Sequence, residues 1–344
     1  MANLLCLAVE KKNAERARQL LIAQDALDSA RKPTSDSKFV YFPIKNKLDI
    51  GLGKLVSKKL KPRKFKPHSL EEAMKGKIPA AKIHLLPRAF DMIGDVAIIE
   101  IPRPLATNAK LMGKSLLAIH PNLKSVYAKG GKRTGKYRTR KLVHLAGEKR
   151  TTTIHKENGC DFELDIAKAY FSPRLAHERQ IIANAAKPGE KILALFAGVG
   201  PFPIVLAKHQ PSVQIAAIEL NPQAAKYLAN NIRRNSMGGI IEPIKGDAHA
   251  VVRKRFKKWA DRILMPYPNA AHQFLSDAFY AAKPGCAVHF YCFAREERAF
   301  AEAEAIVQKA AAKARRKIEI LGKRTVLPYA PRVVQVAIDF CVLS

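Results

Sequence analysis

Apolar and polar residues alternate along this chain with two periods, and the switches between them mark its elements. Leu4-Leu5-Cys6-Leu7-Ala8-Val9 is a short unbroken apolar run, the pattern of a buried strand. From Asn13 to Leu27 the apolar residues fall at helical spacing, with Ala14, Ala17 and Leu21 on one face and Leu20, Ala23 and Leu27 beside them. Val40-Tyr41-Phe42-Pro43 reads as a second strand. Between about 70 and 164 the runs are shorter. Phe90 to Pro102 gives a strand, a Gly94-Asp95 turn and another strand, and Asn108 to Ile119 is helical. Ser125 to Ala128, Tyr137 to Val143 and Thr151 to His155 are further strands, so the pattern suggests an antiparallel sheet. From Lys191 onward strands and helices alternate. Strands at Lys191–Phe196, Val213–Glu219, Ile240–Ile244, Arg262–Met265, Ala287–Phe293 and Val333–Phe340 are separated mostly by helical stretches. Such alternation predicts a parallel, doubly wound α/β sheet.

Divided at its changes of pattern, the 344-residue chain gives a small α/β unit at 1–44 and a basic linker at 45–68, broken by Gly51, Gly53, Pro62 and Pro67. An α+β unit at 69–165 and an α/β unit at 166–344 follow. Hydrophobic residues make up 48%, enough for packed cores, so the chain is not a disordered basic tail. No run of about 18 apolar residues is present, which argues against a membrane-spanning helix. The apolar N-terminus meets Glu10 with no small-residue cleavage motif, so it does not read as a signal peptide. Five scattered cysteines (Cys6, Cys160, Cys286, Cys292 and Cys341) form no C-x-x-C pair. They predict reduced thiols in a cytoplasmic protein and neither a disulfide scaffold nor a zinc site.

A formal charge of +32 calls for a polyanionic partner. Seven Lys and Arg with no acid lie between 54 and 66, seven more between 129 and 141, and five between 253 and 258. Phosphates tracked by such clusters would be released by salt, so binding should weaken steeply as ionic strength rises.

Candidate chemistry lies at the strand tips of the last unit. The first strand runs into Phe196-Ala197-Gly198-Val199-Gly200-Pro201, and glycine allows a ligand to approach the backbone closely. The dinucleotide fingerprint is incomplete, because position 203 is Pro. The second strand ends at Glu219, an acid placed to accept from ribose hydroxyls. The third is followed by Gly246-Asp247-Ala248, an acid placed to meet an adenine amino group. A glycine loop and two acids at successive strand tips fit an adenosine-type cofactor without a pyrophosphate, S-adenosylmethionine better than NAD.

These residues, with FDMIGDVAIIEIP at 90–102, GKYRTR at 135–140, YFSPRLAHER at 170–179, IELNPQA at 218–224 and PYAPRVVQVAIDF at 328–340, resemble the archaeal and eukaryotic tRNA (guanine-37-N1) methyltransferase family. The likeness spans about 90 to 340, with a weaker match in the first 45 residues. It implies a class I, Rossmann-like methyltransferase domain preceded by the two smaller domains. It also implies methyl transfer from S-adenosylmethionine to N1 of guanosine 37, and a monomer that grips the tRNA anticodon arm and outer corner. Carried over by position, Glu178 is the general base and Arg138 stabilises charge at O6. Tyr170, Arg179, Phe196, Gly198, Gly200, Glu219, Leu220, Asp247, Ala248 and Pro266 hold the cofactor. Arg174, Pro266, Pro268, Asn269, Lys136 and Arg140 hold the substrate.

Guanine N1 is protonated at neutral pH and a poor nucleophile, so a base must remove its proton while negative charge builds toward O6. Two positions depart from the family. Ala194 stands where an acid precedes the glycine loop, and Met265-Pro266-Tyr267-Pro268-Asn269 replaces an Asn-led strand tip. At that tip the Pro266 carbonyl could still accept from the guanine edge, or Asn269 reach back to it. The departures keep two alternatives open: methyl or aminocarboxypropyl transfer to a wyosine precursor at position 37, or a non-catalytic RNA-binding protein on the same fold. Enzymes that methylate exocyclic amines of DNA or protein favour Asn or Asp at this tip, which is absent here.

Overall fold

The computed structural model describes residues 3–61, 67–131, 135, 137 and 139–344. It divides into two compact units, Met1–His68 and Ser69–Ser344.

In the first unit, β1 (Asn3–Glu10) leads through α1 (Ala14–Ala23) to β2 (Thr34–Ser35), β3 (Phe39–Pro43) and β4 (Lys54–Lys59). These form an antiparallel sheet in the order β2-β3-β1-β4. Leu7, Val9, Ala17, Leu21 and Phe42 fill the core between sheet and helix. The helix stops short of Leu27 because Asp25 turns left-handed, at φ 48°, and the Ala26 and Leu27 amides fold back onto the Leu21 carbonyl. The span expected to be a basic linker contributes β4, which pairs along β1 from Lys59 opposite Asn3 to Lys54 opposite Ala8. Lysines on an edge strand stay solvated while the backbone completes the sheet, so their charge does not oppose a strand there.

The second unit begins with α2 (Leu70–Met74), β5 (Asp91–Ile93), β6 (Val96–Ile99), α3 (Ala109–Ile119), β7 (Ser125–Lys129) and β8 (Leu142–Gly147). The sheet β5-β6-β7-β8 is mixed and not antiparallel throughout. Helix α3 crosses between β6 and β7, which therefore pair in parallel, whereas β5–β6 and β7–β8 are antiparallel. A separate hairpin follows, β9 (Thr152–Glu157) and β10 (Cys160–Asp165). Its Asn158-Gly159 turn has both φ angles positive, 48° and 69°, the two-residue turn that matches strand twist.

The rest comprises α4 (Ala176–Ala185), β11 (Lys191–Leu195), α5 (Pro201–His209), β12 (Gln214–Glu219), α6 (Pro222–Arg234), β13 (Ile241–Lys245) and α7 (Ala248–Arg255). Then come β14 (Ala260–Met265), α8 (Leu275–Ala281), β15 (Ala282–Arg295), α9 (Ala299–Lys313), β16 (Ile318–Ala330) and β17 (Val333–Val342). Its sheet order is β13-β12-β11-β14-β15-β17-β16. The first five strands are parallel; β17 and β16 join antiparallel. Strand β11 is apolar without alternation because both faces are covered: Ile192 and Ala194 enter one core layer, Leu193 and Leu195 the other. The first of those layers also holds Val96, Tyr127 and Phe162, so the mixed sheet and the hairpin share a core with the large sheet. Strand order reverses between β11 and β14, the switch point outside which ligands bind in such sheets. No described helix is long and apolar enough to cross a membrane.

Candidate functional site

The loop after β11 is built to expose backbone. Phe196 takes φ 57°, unusual for a residue with a side chain, and is held there by its ring. That ring packs on Tyr267 (centroids 5.1 Å apart) and Phe274 (4.8 Å), joining the tips of β11 and β14. Gly198 has φ 59°, and among the described residues a Cβ there would touch only the Tyr170 carbonyl, at 3.8 Å. The outer side of the loop is therefore open, and it passes beside the segment that begins at Tyr170. At Gly200, φ 96°, a Cβ would press to 2.7 Å from Ile204 and 2.8 Å from Leu228. Glycine is required there by packing as well as by backbone angle. Pro201 opens α5, where no N–H is needed.

Glu219 ties this loop to its neighbour. One carboxylate oxygen accepts from Gly198 N–H and the other from Asn221 N–H, both at 2.7 Å. Burial pushes its pKa up, and the amides of Asn221, Gly198 and Leu220 oppose that rise. Three amides do not use up the roughly four acceptor sites of a carboxylate, so Glu219 keeps capacity to accept. The next strand tip is bonded in turn, Gly246 N–H to the Glu219 carbonyl at 3.0 Å. Asp247 caps α7 through Ala250 N–H, and Ala248 is buried beneath it. Glu219, Leu220, Asp247 and Ala248 thus line adjoining tips, as the sequence suggests.

Asn231 was missed by sequence reading. Fully buried on α6, it bonds the Val199 carbonyl of the glycine loop and both the N–H and the carbonyl of Glu163 on β10. A polar residue on an otherwise apolar helix face was the available signal.

The segment from Tyr170 to Arg179 arrives on the same side. Tyr170 is 42% exposed. Arg174 pairs with Asp91 at 2.7 Å, and a small cleft joins Asp91, Thr139, Arg140, Tyr170 and Phe171. Arg140 Nε is buried and has no hydrogen-bond partner among the described residues. Arg179, expected at the cofactor, is instead committed inward. It pairs with Glu157, donates to the Ser172 carbonyl at 2.8 Å and lies over the Phe171 ring. Its guanidinium shapes the segment, because a buried charge must be paired.

Glu178 is 5% exposed. Its Oε1 accepts from the Tyr291 hydroxyl at 2.5 Å and from Arg324, whose Nε also reaches Oε2 at 3.1 Å. Burial first, and the Glu178 carboxylate second, raise the Tyr291 pKa and keep it a hydrogen-bond donor. Arg324 also pairs with Asp339, which accepts from His289 Nδ1 at 2.8 Å. His289 Nε2 lies 2.6 Å from Arg262, which can only donate, so that nitrogen accepts. Arg262 ends the chain on Glu190. A line of charge therefore crosses the sheet from Glu178 to Glu190, and none of its members beyond Glu178 was picked out from sequence. Asp339, the one acid in the apolar strand VVQVAIDF, was the readable sign.

At the β14 tip, Pro266 and Pro268 are half-buried and Asn269 is exposed. Ala194 is buried in mid-strand between Ala217 and Leu264, so it offers the loop no polar group. Arg138 and Lys136 lie outside the described residues.

Comparison with known proteins gives three family matches. Residues 153–321 match the TRM5/TYW2 methyltransferase domain, 70–151 the TYW2 N-terminal domain and 6–50 the tRNA methyltransferase 5 N-terminal domain. The chain is 40% identical over 336 residues to the tRNA (guanine(37)-N(1))-methyltransferase Trm5b of Pyrococcus abyssi, covering 98% of each. It is similar to a solved complex of aTrm5 and tRNALeu, with 34% identity, TM-score 0.86, and 99% and 100% of the two chains covered. It is also similar to Methanocaldococcus jannaschii Trm5 in complex with adenosine, with 32% identity, TM-score 0.66 and 99% of each chain covered.

Proposed function

The chain belongs to the TRM5/TYW2 methyltransferase family, and on that footing we propose that it moves a methyl group from S-adenosylmethionine to N1 of guanosine 37 in tRNA. The observation that carries this reading is the approach of Gly198 to the Tyr170 carbonyl, which brings the glycine loop beside the segment bearing Glu178. The residues fit the cofactor. Gly198 leaves room above the backbone, and Glu219 has lone pairs left for ribose hydroxyls. Asp247 and Ala248 would meet the adenine, and Phe196, Leu220 and Pro266 would flank the cofactor. The cofactor supplies an electrophilic methyl group on sulfonium sulfur.

In this proposal Glu178 takes the N1 proton. Its Oε1 is tied down by Tyr291 and Arg324, whereas among the described residues Oε2 has only the 3.1 Å contact, so Oε2 is the oxygen we assign to the proton. Arg138 faces the negative charge that builds at O6, a task its permanent charge suits. Arg140, whose Nε has no partner among the described residues, and Arg174 and Lys136 hold the RNA backbone, and Pro268 and Asn269 border the base. The small N-terminal domain touches the outer corner of the tRNA and the unit from 69 onward its anticodon arm. We take the working form to be a monomer in the cytoplasm.

Arg138→Ala should lower single-turnover methylation by about 10²–10³-fold, the usual loss of a donor at a developing oxyanion, with transcript binding largely retained. A rate that stays at the wild-type value would remove Arg138 from the reaction. Glu219→Ala should weaken S-adenosylmethionine binding by about 10–100-fold, since a charged acceptor is lost and the Gly198 amide is left without its partner. Calorimetric titration reads this directly, and unaltered affinity would show that the cofactor does not use Glu219. The experiment that tests the function is a competition between an unmodified transcript and a tRNA carrying the tricyclic wyosine precursor. Methylation of the transcript supports the reading; transfer to the tricyclic base alone would favour the related activity.

A further inference from the structure

An aromatic pair with no role assigned so far stands at the carboxyl edge of the large sheet. Phe293 on β15 and Tyr329 on β16 stack with centroids 3.8 Å apart and planes 27° apart. Tyr329 remains 57% exposed, so one face of its ring is covered by Phe293 and the other meets solvent.

Register fixes where this pair lies. Along β15, Cys292 and Ala294 point into the core layer shared with α8 and α9. Tyr291 and Phe293 point to the opposite face, where Tyr291 meets Glu178. Two residues of strand cover roughly 7 Å, so Phe293 stands about that far beyond Tyr291. The direction is toward the edge where β11 and β14, parallel to β15, present the glycine loop and Pro266. Tyr329 sits where the pairing slips, between Pro328 opposite Val334 and Ala330 opposite Val333. A residue extruded by such a bulge has its side chain re-aimed out of the ladder. Cations flank the stack. Arg295 ends β15 with its side chain 73% exposed and its nearest carboxylate, Glu302, 3.9 Å away. Exposed Arg332 forms the β16–β17 turn, its carbonyl accepting from Glu296 N–H.

An open aromatic face with guanidinium groups beside it is the chemistry that holds an unpaired base and its phosphate. The surroundings are too charged for an apolar protein surface. We propose that the Phe293–Tyr329 stack is a platform for an unpaired base next to the modified nucleotide, with Arg295 and Arg332 meeting its phosphates. This rests on the tRNA reading above.

The test uses the full chain with unmodified transcripts carrying 2-aminopurine on one or the other side of the target. Wild type and Tyr329→Phe should quench the probe at one of these positions and bind alike. Tyr329→Ala should lose the quenching and weaken transcript binding by about 5–150-fold, with S-adenosylmethionine affinity and melting temperature unchanged. The inference is overturned if Tyr329→Ala binds and quenches as wild type, if Tyr329→Phe loses as much, or if cofactor affinity falls in step with RNA affinity. A wild-type protein that binds no tRNA would overturn the functional reading, and the platform with it.

Discussion

Glu178→Gln should slow single-turnover methyl transfer by about 10²–10⁴-fold while cofactor and transcript binding persist. Gln keeps the volume of Glu and an oxygen that can still accept from Tyr291 and Arg324, so the contacts joining α4 to β15 and β16 are retained in part. What it loses is an oxygen able to take a proton from guanine N1. The substitution therefore separates proton removal from folding, which Glu178→Ala would not. A single-turnover rate equal to wild type would mean that the base is another group and that Glu178 serves only the buried charge line. Raising the pH distinguishes a further case. Where loss of the N1 proton limits the rate, the Gln variant should regain activity as the base itself ionises in alkaline solution.

Arg324→Ala should cost about 3–5 kcal/mol in stability, lowering the melting temperature by on the order of 10 °C. Arg324 is the shared partner of Glu178 and Asp339, and its removal leaves two largely buried carboxylates without their common cation. Burial opposes the charge of Arg324, but Glu178 and Asp339 more than offset it and raise its pKa. Asp339 shows the same contest: burial pushes its carboxyl up, and His289 and Arg324 bring it below the ordinary value. A carboxyl depressed in this way stabilises the fold above its unfolded pKa of about 3.9 and loses that contribution as pH falls through the lower, folded value. The gap in melting temperature between wild type and Arg324→Ala should therefore be full near neutrality and narrow below about pH 4. Melting curves across that range measure it, and a gap that does not change with pH would show that packing, not charge, is what Arg324 contributes.

The parts of the fold legible in sequence are those fixed locally. The run from Lys191 to Pro201 announces a two-sided strand and a glycine turn because both faces of β11 are buried and no side chain fits at Gly200. Successive acids at Glu219 and Asp247 were readable because each sits at a strand end, a position set by local pattern. The Asn158-Gly159 turn carried an equally local signal for a second strand, β10, that was not drawn from it. What was not legible depends on partners distant in sequence. Strand β16 alternates half-buried and exposed residues at a sheet edge, so its apolar signal is weak, and only pairing with β17 defines it. The parallel pairing of β6 and β7 is a property of the α3 crossover. Arg179 read as a ligand-facing charge because its partner Glu157 lies on a hairpin 22 residues away. Arg324 meets Glu178 across 146 residues, which no spacing rule reaches.

Nucleoside mass spectrometry of an unmodified tRNA transcript, after incubation with this protein and S-adenosylmethionine, decides whether guanosine 37 is its target. 1-Methylguanosine should form with guanosine at position 37, and none when that one nucleotide is changed. Absence of 1-methylguanosine from a transcript that the protein binds, or its persistence after position 37 is changed, would contradict this reading.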